Sequence, residues 1–230
     1  MKYGIVVFPG SNCDRDSWWA TAICSKQDAE FIWHKDKVLP AGLDCIILPG
    51  GFSYGDYLRC GAIASHSSIM KEVITFANKG GLVIGICNGF QILIESKLLP
   101  GALLRNASLH FVCKDIFLKT MNYSTPFTSR IEKNKIMRFP IAHGDGNYFA
   151  TPDLIKELED QNRIAFKYCD QDGETSQSAN PNGSLNNIAG IVNKKGNVLG
   201  LMPHPERYSD PALGCDDGIS IFDSILDSIG

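Results

Sequence analysis

The chain has 230 residues, of which 44% are hydrophobic, and carries a net charge of −3. That size and apolar content suit a single α/β domain over residues 1–230 with a substantial core, and they exclude wholesale disorder. No basic stripe invites nucleic acid, and no apolar run is long enough to span a bilayer.

The N-terminal stretch Met1 to Phe8 is too short and too strand-like for a signal peptide, so a cytoplasmic location is expected. Tyr3 to Phe8 reads as a first strand and ends in the turn Pro9-Gly10-Ser11-Asn12. Asp14 to Gln27 has helical spacing, with Asp14 as its cap. Phe31 to His34 and Asp44 to Leu48 read as the second and third strands, the latter ending at Pro49-Gly50-Gly51. Ile69 to Ala77 is helical in pattern, and Leu82 to Ile86 is a buried strand. This alternation predicts a three-layer, mostly parallel, flavodoxin-like central sheet with helices on both faces. Asn106 to Ala142 changes character and reads as antiparallel strands at a sheet edge. Thr151 caps a short helix that begins at Pro152 and runs to Asp160. Asp170 to Asn187 is a polar loop. Ile188 to Val192 and Val198 to Met202 form a hairpin, and Cys215 to Ile229 is a closing helix.

Eight cysteines are present. A core-rich chain of this length needs no disulfide staples, and no Cys-x-x-Cys pair suggests zinc, so reduced thiols and no metal are expected.

One of those thiols has a distinctive setting. Gly85-Ile86-Cys87-Asn88-Gly89 follows a strand and opens an apolar-periodic helix, the context of a nucleophile elbow. The two glycines let neighbouring backbone pass close to a strained residue between them. Cys87 then projects at the carboxyl end of a central strand beside a helix N-terminus, which favours the thiolate. The Asn88 N–H faces the place where an oxyanion would develop.

A thiol nucleophile needs a base, and the base needs an orienting group. Pro203-His204-Pro205-Glu206 supplies both after a buried strand. In an extended Pro-x-Pro-x frame His204 and Glu206 fall on the same side of the chain. Pro49-Gly50-Gly51 is suited to turn successive N–H groups into an anion-binding concavity, completing an oxyanion hole with Asn88. No phosphate-loop or dinucleotide fingerprint occurs.

Gly85 to Gln91, Pro49-Gly50-Gly51 and Pro203 to Glu206 resemble the three signatures of triad-type glutamine amidotransferases. Pro9 to Asp14, Gly51 to Ala62, Ala142 to Gly146 and Leu199 to Arg207 extend the resemblance along nearly the whole chain, toward the members that act as separate glutaminase subunits of phosphoribosylformylglycinamidine synthases. The resemblance implies that Cys87 forms a γ-glutamyl thioester, His204 shuttles protons and Glu206 orients it. It implies that Gly50, Gly51 and Asn88 hold the oxyanion and that Gln91 helps hold glutamine. Phe52 and His143 are further candidates. Asp145 stands where the family pattern has glutamate. No cofactor is implied in this chain. ATP and magnesium belong to a large synthase partner, accompanied by a small accessory subunit, which consumes the ammonia in purine biosynthesis. A cysteine peptidase of the same elbow class and a silent binding module are the competing readings.

Overall fold

The computed structural model describes residues 1–230. Its centre is a nine-stranded sheet. Strands β1 (Lys2–Val7), β2 (Asp28–Trp33), β3 (Cys45–Leu48) and β4 (Leu82–Ile86) pair in parallel in the order β2-β1-β3-β4. β3 and β4 are buried at every position, as strands covered on both faces must be, and their sequences are accordingly continuous apolar runs.

The second half of the sheet alternates in direction. β5 (Ala102–Leu104) and β8 (Asn147–Phe149) form a separate two-stranded antiparallel sheet. β6 (Val112–Thr120) and β7 (Ile136–His143) are an antiparallel pair at the outer edge of the main sheet. β9 (Ile164–Cys169) and β10 (Ile188–Val192) link that pair antiparallel to β11 (Val198–Leu201), which lies parallel to β4. The edge strands and the β10–β11 hairpin are where the sequence places them. β9 is not anticipated. Its six residues follow a helix without a long loop, and its apolar run is too short to announce a strand by periodicity.

Helices α1 (Asp14–Trp18), α2 (Met70–Asn78), α3 (Asn88–Glu95), α4 (Pro152–Asp160) and α5 (Ile219–Asp227) flank the sheet. α1 differs from expectation in two ways. Its N-cap position is Cys13, without a side-chain cap bond, and Asp14 bonds only to the N–H of Arg15. Beyond Trp18 it widens into a π-helical segment, Trp19–Cys24. The hydroxyls of Ser17 and Thr21 there donate back to Cys13 O and Ser17 O, a competition that loosens helical turns. α4 is capped as predicted, with Thr151 Oγ1 accepting from the Leu154 N–H. α5 starts later than expected, because Asp210 and Cys215 are bridged around a turn at Gly214. No helix is long and apolar enough to cross a membrane.

The carboxyl ends of β1, β3, β4 and β11, consecutive in the sheet, lie side by side. Ligands of open α/β sheets bind beyond such ends, and all three glycine- or proline-rich motifs project there.

Candidate active site

Cys87 is the hinge between β4 and α3, with φ 51° and ψ −104°. A residue with a Cβ takes up such angles only when its surroundings compel it. A Cβ on Gly89 would strike the Leu48 carbonyl, and one on Gly85 would lie 2.6 Å from the Gly89 carbonyl oxygen. The two glycines therefore let α3 begin hard against β3 and β4, and the strain falls on Cys87, as the sequence predicts. Its N–H donates to Leu201 O at 2.8 Å. The residue is 4% exposed, and its thiol lies 3.8 Å from Ala142 O.

The segment Gly10–Cys13 runs antiparallel to Gly50–Phe52. The Phe52 N–H donates to Gly10 O at 2.9 Å, and the Asn12 N–H to Gly50 O at 3.3 Å. Ser11 and Gly51 face each other between these two bonds. In such a non-hydrogen-bonded pair the N–H groups point away from the ladder, and that of Gly51 donates to no protein acceptor. Gly51 sits at φ 137° with the Ser11 Cα 2.8 Å from where a Cβ would be, so only glycine fits. The Asn88 N–H, first in α3, is also free, as first-turn donors are. The Asn88 side chain is fully engaged. Its Oδ1 accepts from the Ser53 N–H at 3.2 Å, and its Nδ2 donates to Asp56 Oδ1 at 3.2 Å and to Gln91 Oε1 at 2.8 Å.

His204 and Glu206 meet, but not through an extended frame. Pro205–Tyr208 is a 3-10 turn, and the turn brings the side chains together. Nδ1–H of His204 donates to Glu206 Oε1 at 2.6 Å, with both residues 2% exposed. Nε2 of His204 and Oε2 of Glu206 are buried without an aligned hydrogen-bond partner. In the neutral ring Nδ1 keeps its proton for Glu206, so the lone pair that accepts a proton is on Nε2. Burial opposes a charge on His204, but the carboxylate of Glu206 and the thiols of Cys87 and Cys13 outweigh it and hold the imidazole pKa well above its ordinary value.

Gln91 lines a cleft of about 480 Å³ together with Asp56, Cys60, Arg105 and Asp145. Its Nε2 donates to the backbone oxygen of Asp145 at 2.8 Å, so Gln91 fixes the Gly144–Gly146 turn as well as facing the cleft. Burial raises the carboxyl pKa of Asp56. Phe52 is 43% exposed and stacks on Phe111 with ring centroids 6.2 Å apart. Gly50 supplies a smooth wall to the dyad, since a Cβ there would meet His204 Cε1 at 2.7 Å.

His143 is enclosed by two asparagines. Its Nδ1 donates to Asn106 Oδ1 at 3.1 Å, its Nε2 lies 3.5 Å from Asn182 Nδ2, and its ring fills the space beside Gly146. Burial, reinforced by the neighbouring His204, lowers its pKa to about 4. It is held neutral inside an amide network.

Sequence reasoning gives no role to Cys13, Asp56 or the Asn106–Asn182 pair, all of which shape the site. Sγ of Cys13, a ring nitrogen of His204 and a carboxylate oxygen of Glu206 lie within 4.8 Å of one another. These are metal-ligand types, but Arg207 Nη2 donates to Cys13 Sγ at 3.1 Å and puts a cation where a metal would add a second. Cys13 is not placed as the nucleophile. It lacks the elbow, and burial pushes its thiol pKa up.

Residues 1–213 match the model of the CobB/CobQ-like glutamine amidotransferase domain. The chain is 55% identical over 227 residues to the phosphoribosylformylglycinamidine synthase subunit PurQ of Moorella thermoacetica, covering 99% of this chain and 96% of that one. It is 56% identical over 226 residues to the subunit of the same name from Chlorobaculum tepidum, covering 98% and 96%. Among solved structures it superposes on a chain of PurLQS from Thermotoga maritima with TM-score 0.87 and 44% identity, covering 100% of this chain and 99% of that one.

Proposed function

The chain belongs to the CobB/CobQ-like glutamine amidotransferase family, and from that premise we propose that it is the glutaminase subunit of a phosphoribosylformylglycinamidine synthase. It hydrolyses glutamine and passes the ammonia to an ATP-dependent synthase subunit in purine biosynthesis. Full-length similarity to PurQ subunits and to a chain of PurLQS supports this over a peptidase or a silent module. The observation that carries the chemistry is the convergence of a strained Cys87, a buried His204–Glu206 pair and two unengaged N–H groups at one sheet end.

The geometry supports the following steps. Cys87 Sγ attacks the side-chain amide carbon of glutamine as its proton passes to His204 Nε2. The N–H groups of Gly51 and Asn88 receive the oxygen that becomes negative. The amide nitrogen takes the proton from His204 and leaves as ammonia, so a γ-glutamyl thioester remains on Cys87. Water, deprotonated by His204, attacks the thioester and releases glutamate and the thiol. Glu206 keeps the imidazole in the required tautomer throughout and stabilises its cation.

The partner activates an amide oxygen of formylglycinamide ribonucleotide with ATP and magnesium, because oxygen leaves poorly until phosphorylated. No phosphate-loop sequence is present here, which is consistent with nucleotide chemistry residing on the partner, and we assign no cofactor to this chain. A small accessory subunit completes the proposed assembly. We place the protein in the cytoplasm, a reading supported by eight free thiols in a protein with this role. The test is glutamate release by the chain alone and then with synthase subunit, ATP, magnesium and ribonucleotide. Stimulation by the full mixture is expected. Turnover of the lone chain at the rate of the complex would show that the partner does not stimulate hydrolysis, and no glutamate in any mixture would remove the glutaminase reading itself.

A further inference from the structure

Cys13 occupies a position that neither nucleophile nor base accounts for. It is 1% exposed, and its N–H is tied to Gly50 O at 3.2 Å. Its Sγ packs beside the His204 ring, since a Cβ on Gly50 would touch both, the sulfur at 3.2 Å and Cε1 at 2.7 Å. On its other side Sγ accepts from Arg207 Nη2 at 3.1 Å. The same guanidinium donates from Nε to Asp16 Oδ2 at 3.2 Å.

Glu206 Oε2, meanwhile, is buried with no donor, and Arg207 is the next residue in the chain. An orphaned carboxylate oxygen and a neighbouring guanidinium ordinarily pair, because charge-assisted bidentate contacts are among the strongest hydrogen bonds in proteins. Here they do not pair: the guanidinium bonds the Cys13 thiol instead, and that sulfur lies within 4.8 Å of a Glu206 carboxylate oxygen.

We propose that Cys13 is a positioning residue that holds Arg207 off Glu206, so that the carboxylate serves His204 alone. It acts as a spacer and as the acceptor that occupies the guanidinium. The proposal rests on the reading of His204 and Glu206 as base and orienting group. The charged and titratable groups facing His204 are Cys87 from the β4–α3 turn, Cys13 from the segment before α1, His143 from β7, and Glu206 and Arg207 from its own turn; Asp16 of α1 reaches it through Arg207. Among them Arg207 is the long, flexible cation, with its side chain 36% exposed. A guanidinium bound to Glu206 would compete with the imidazolium for the same negative charge, and the His204 proton would be lost more easily.

The experiment measures kcat and KM for glutamine hydrolysis against pH in the assembled complex. The proteins are the wild type, Cys13→Ala, Cys13→Ser, and Cys13→Ala combined with Arg207→Met. In Cys13→Ala, kcat should fall about tenfold with KM little changed, and the limb of the profile that reports His204 should move down by about one pH unit. Cys13→Ser retains an acceptor of similar size and should keep the wild-type limb. Removing the cation in the double variant should restore the limb. The proposal fails if Cys13→Ala leaves the limb in place, if the double variant does not restore it, or, should Cys13→Ala not fold, if Cys13→Ser shifts the limb by the same amount. A wild-type complex that does not hydrolyse glutamine would instead sink the glutaminase reading, and this inference with it.

Discussion

Glu206 holds His204 through one buried hydrogen bond, Nδ1 to Oε1 at 2.6 Å. The bond fixes the tautomer but carries no proton to substrate. Glu206→Ala should therefore reduce kcat less than His204→Ala, and the losses should not add in the double variant, because the groups act as a unit. Steady-state kinetics of the three variants check this. Additive losses would mean that the two side chains work by separate routes.

Sulfur at position 87 is the group that forms the thioester, and an alcohol there would have a far higher pKa. Cys87→Ala and Cys87→Ser should lose at least roughly a thousandfold in kcat with thermal stability retained, since the site is small and lies at the end of the core. Cys113 is exposed, Cys24 closes the π-helical segment, and neither lines the cleft. Their serine variants should turn over at the wild-type rate per folded molecule. A loss in either one matching that of Cys87→Ala would mean the nucleophile is misassigned.

Asn88 ties the oxyanion loop to α3 through Ser53 and Asp56, and also bonds Gln91 of its own helix. Asn88→Ala keeps the backbone N–H but leaves buried partners unsatisfied, at about 1–3 kcal/mol of stability. It should also lower kcat more than it raises KM, because the loosened loop carries the Gly51 donor. Chemical denaturation together with kinetics tests both. Wild-type kcat in a destabilised Asn88→Ala protein would show that the loop does not depend on this side chain.

His143 gives a signed pH prediction. Its folded-state pKa is about 4, below the ordinary value near 6.5. As pH falls from about 6.5 toward 4, the unfolded chain takes up a proton that the folded chain refuses, and stability declines by up to about 3 kcal/mol. His204 has the opposite sign. Its raised pKa makes its contribution complete below about 6.5 and lost only at higher pH, so it leaves the acid window untouched. His143→Gln, which keeps a polar partner for Asn106 and Asn182, should flatten the melting-temperature profile between pH 6.5 and 4. An unchanged slope would show that His143 is not the titrating group.

The elbow was legible because Gly85 and Gly89 are needed for one specific close approach, and that need is written in five consecutive residues. The oxyanion loop was legible for a similar reason, since only glycine accepts the Gly51 backbone. The His204–Glu206 pair is legible as residue types but not as geometry. Spacing by two suggests strand alternation, whereas a 3-10 turn makes the contact. Cys13 and Asp56 carry no local signature, because their roles come from neighbours distant in the chain, Arg207 and His204 for one and Asn88 for the other. His143 had a suggestive setting beside a glycine turn, but the asparagines that enclose it lie 37 and 39 residues away in sequence. β9 was hidden by its brevity, and the π-helical segment by hydroxyls whose back-bonding competes silently with helical periodicity.

Two thiols lie close to His204, and only one of them, Cys87, should react with glutamine. The direct measurement is mass spectrometry of the full chain, alone and with its synthase partner, after treatment with a chloroketone that mimics glutamine. One adduct is expected, on the peptide containing Cys87, slowed in His204→Ala and absent in Cys87→Ala. An adduct on Cys13, or a folded complex in which no thiol is labelled, would contradict it.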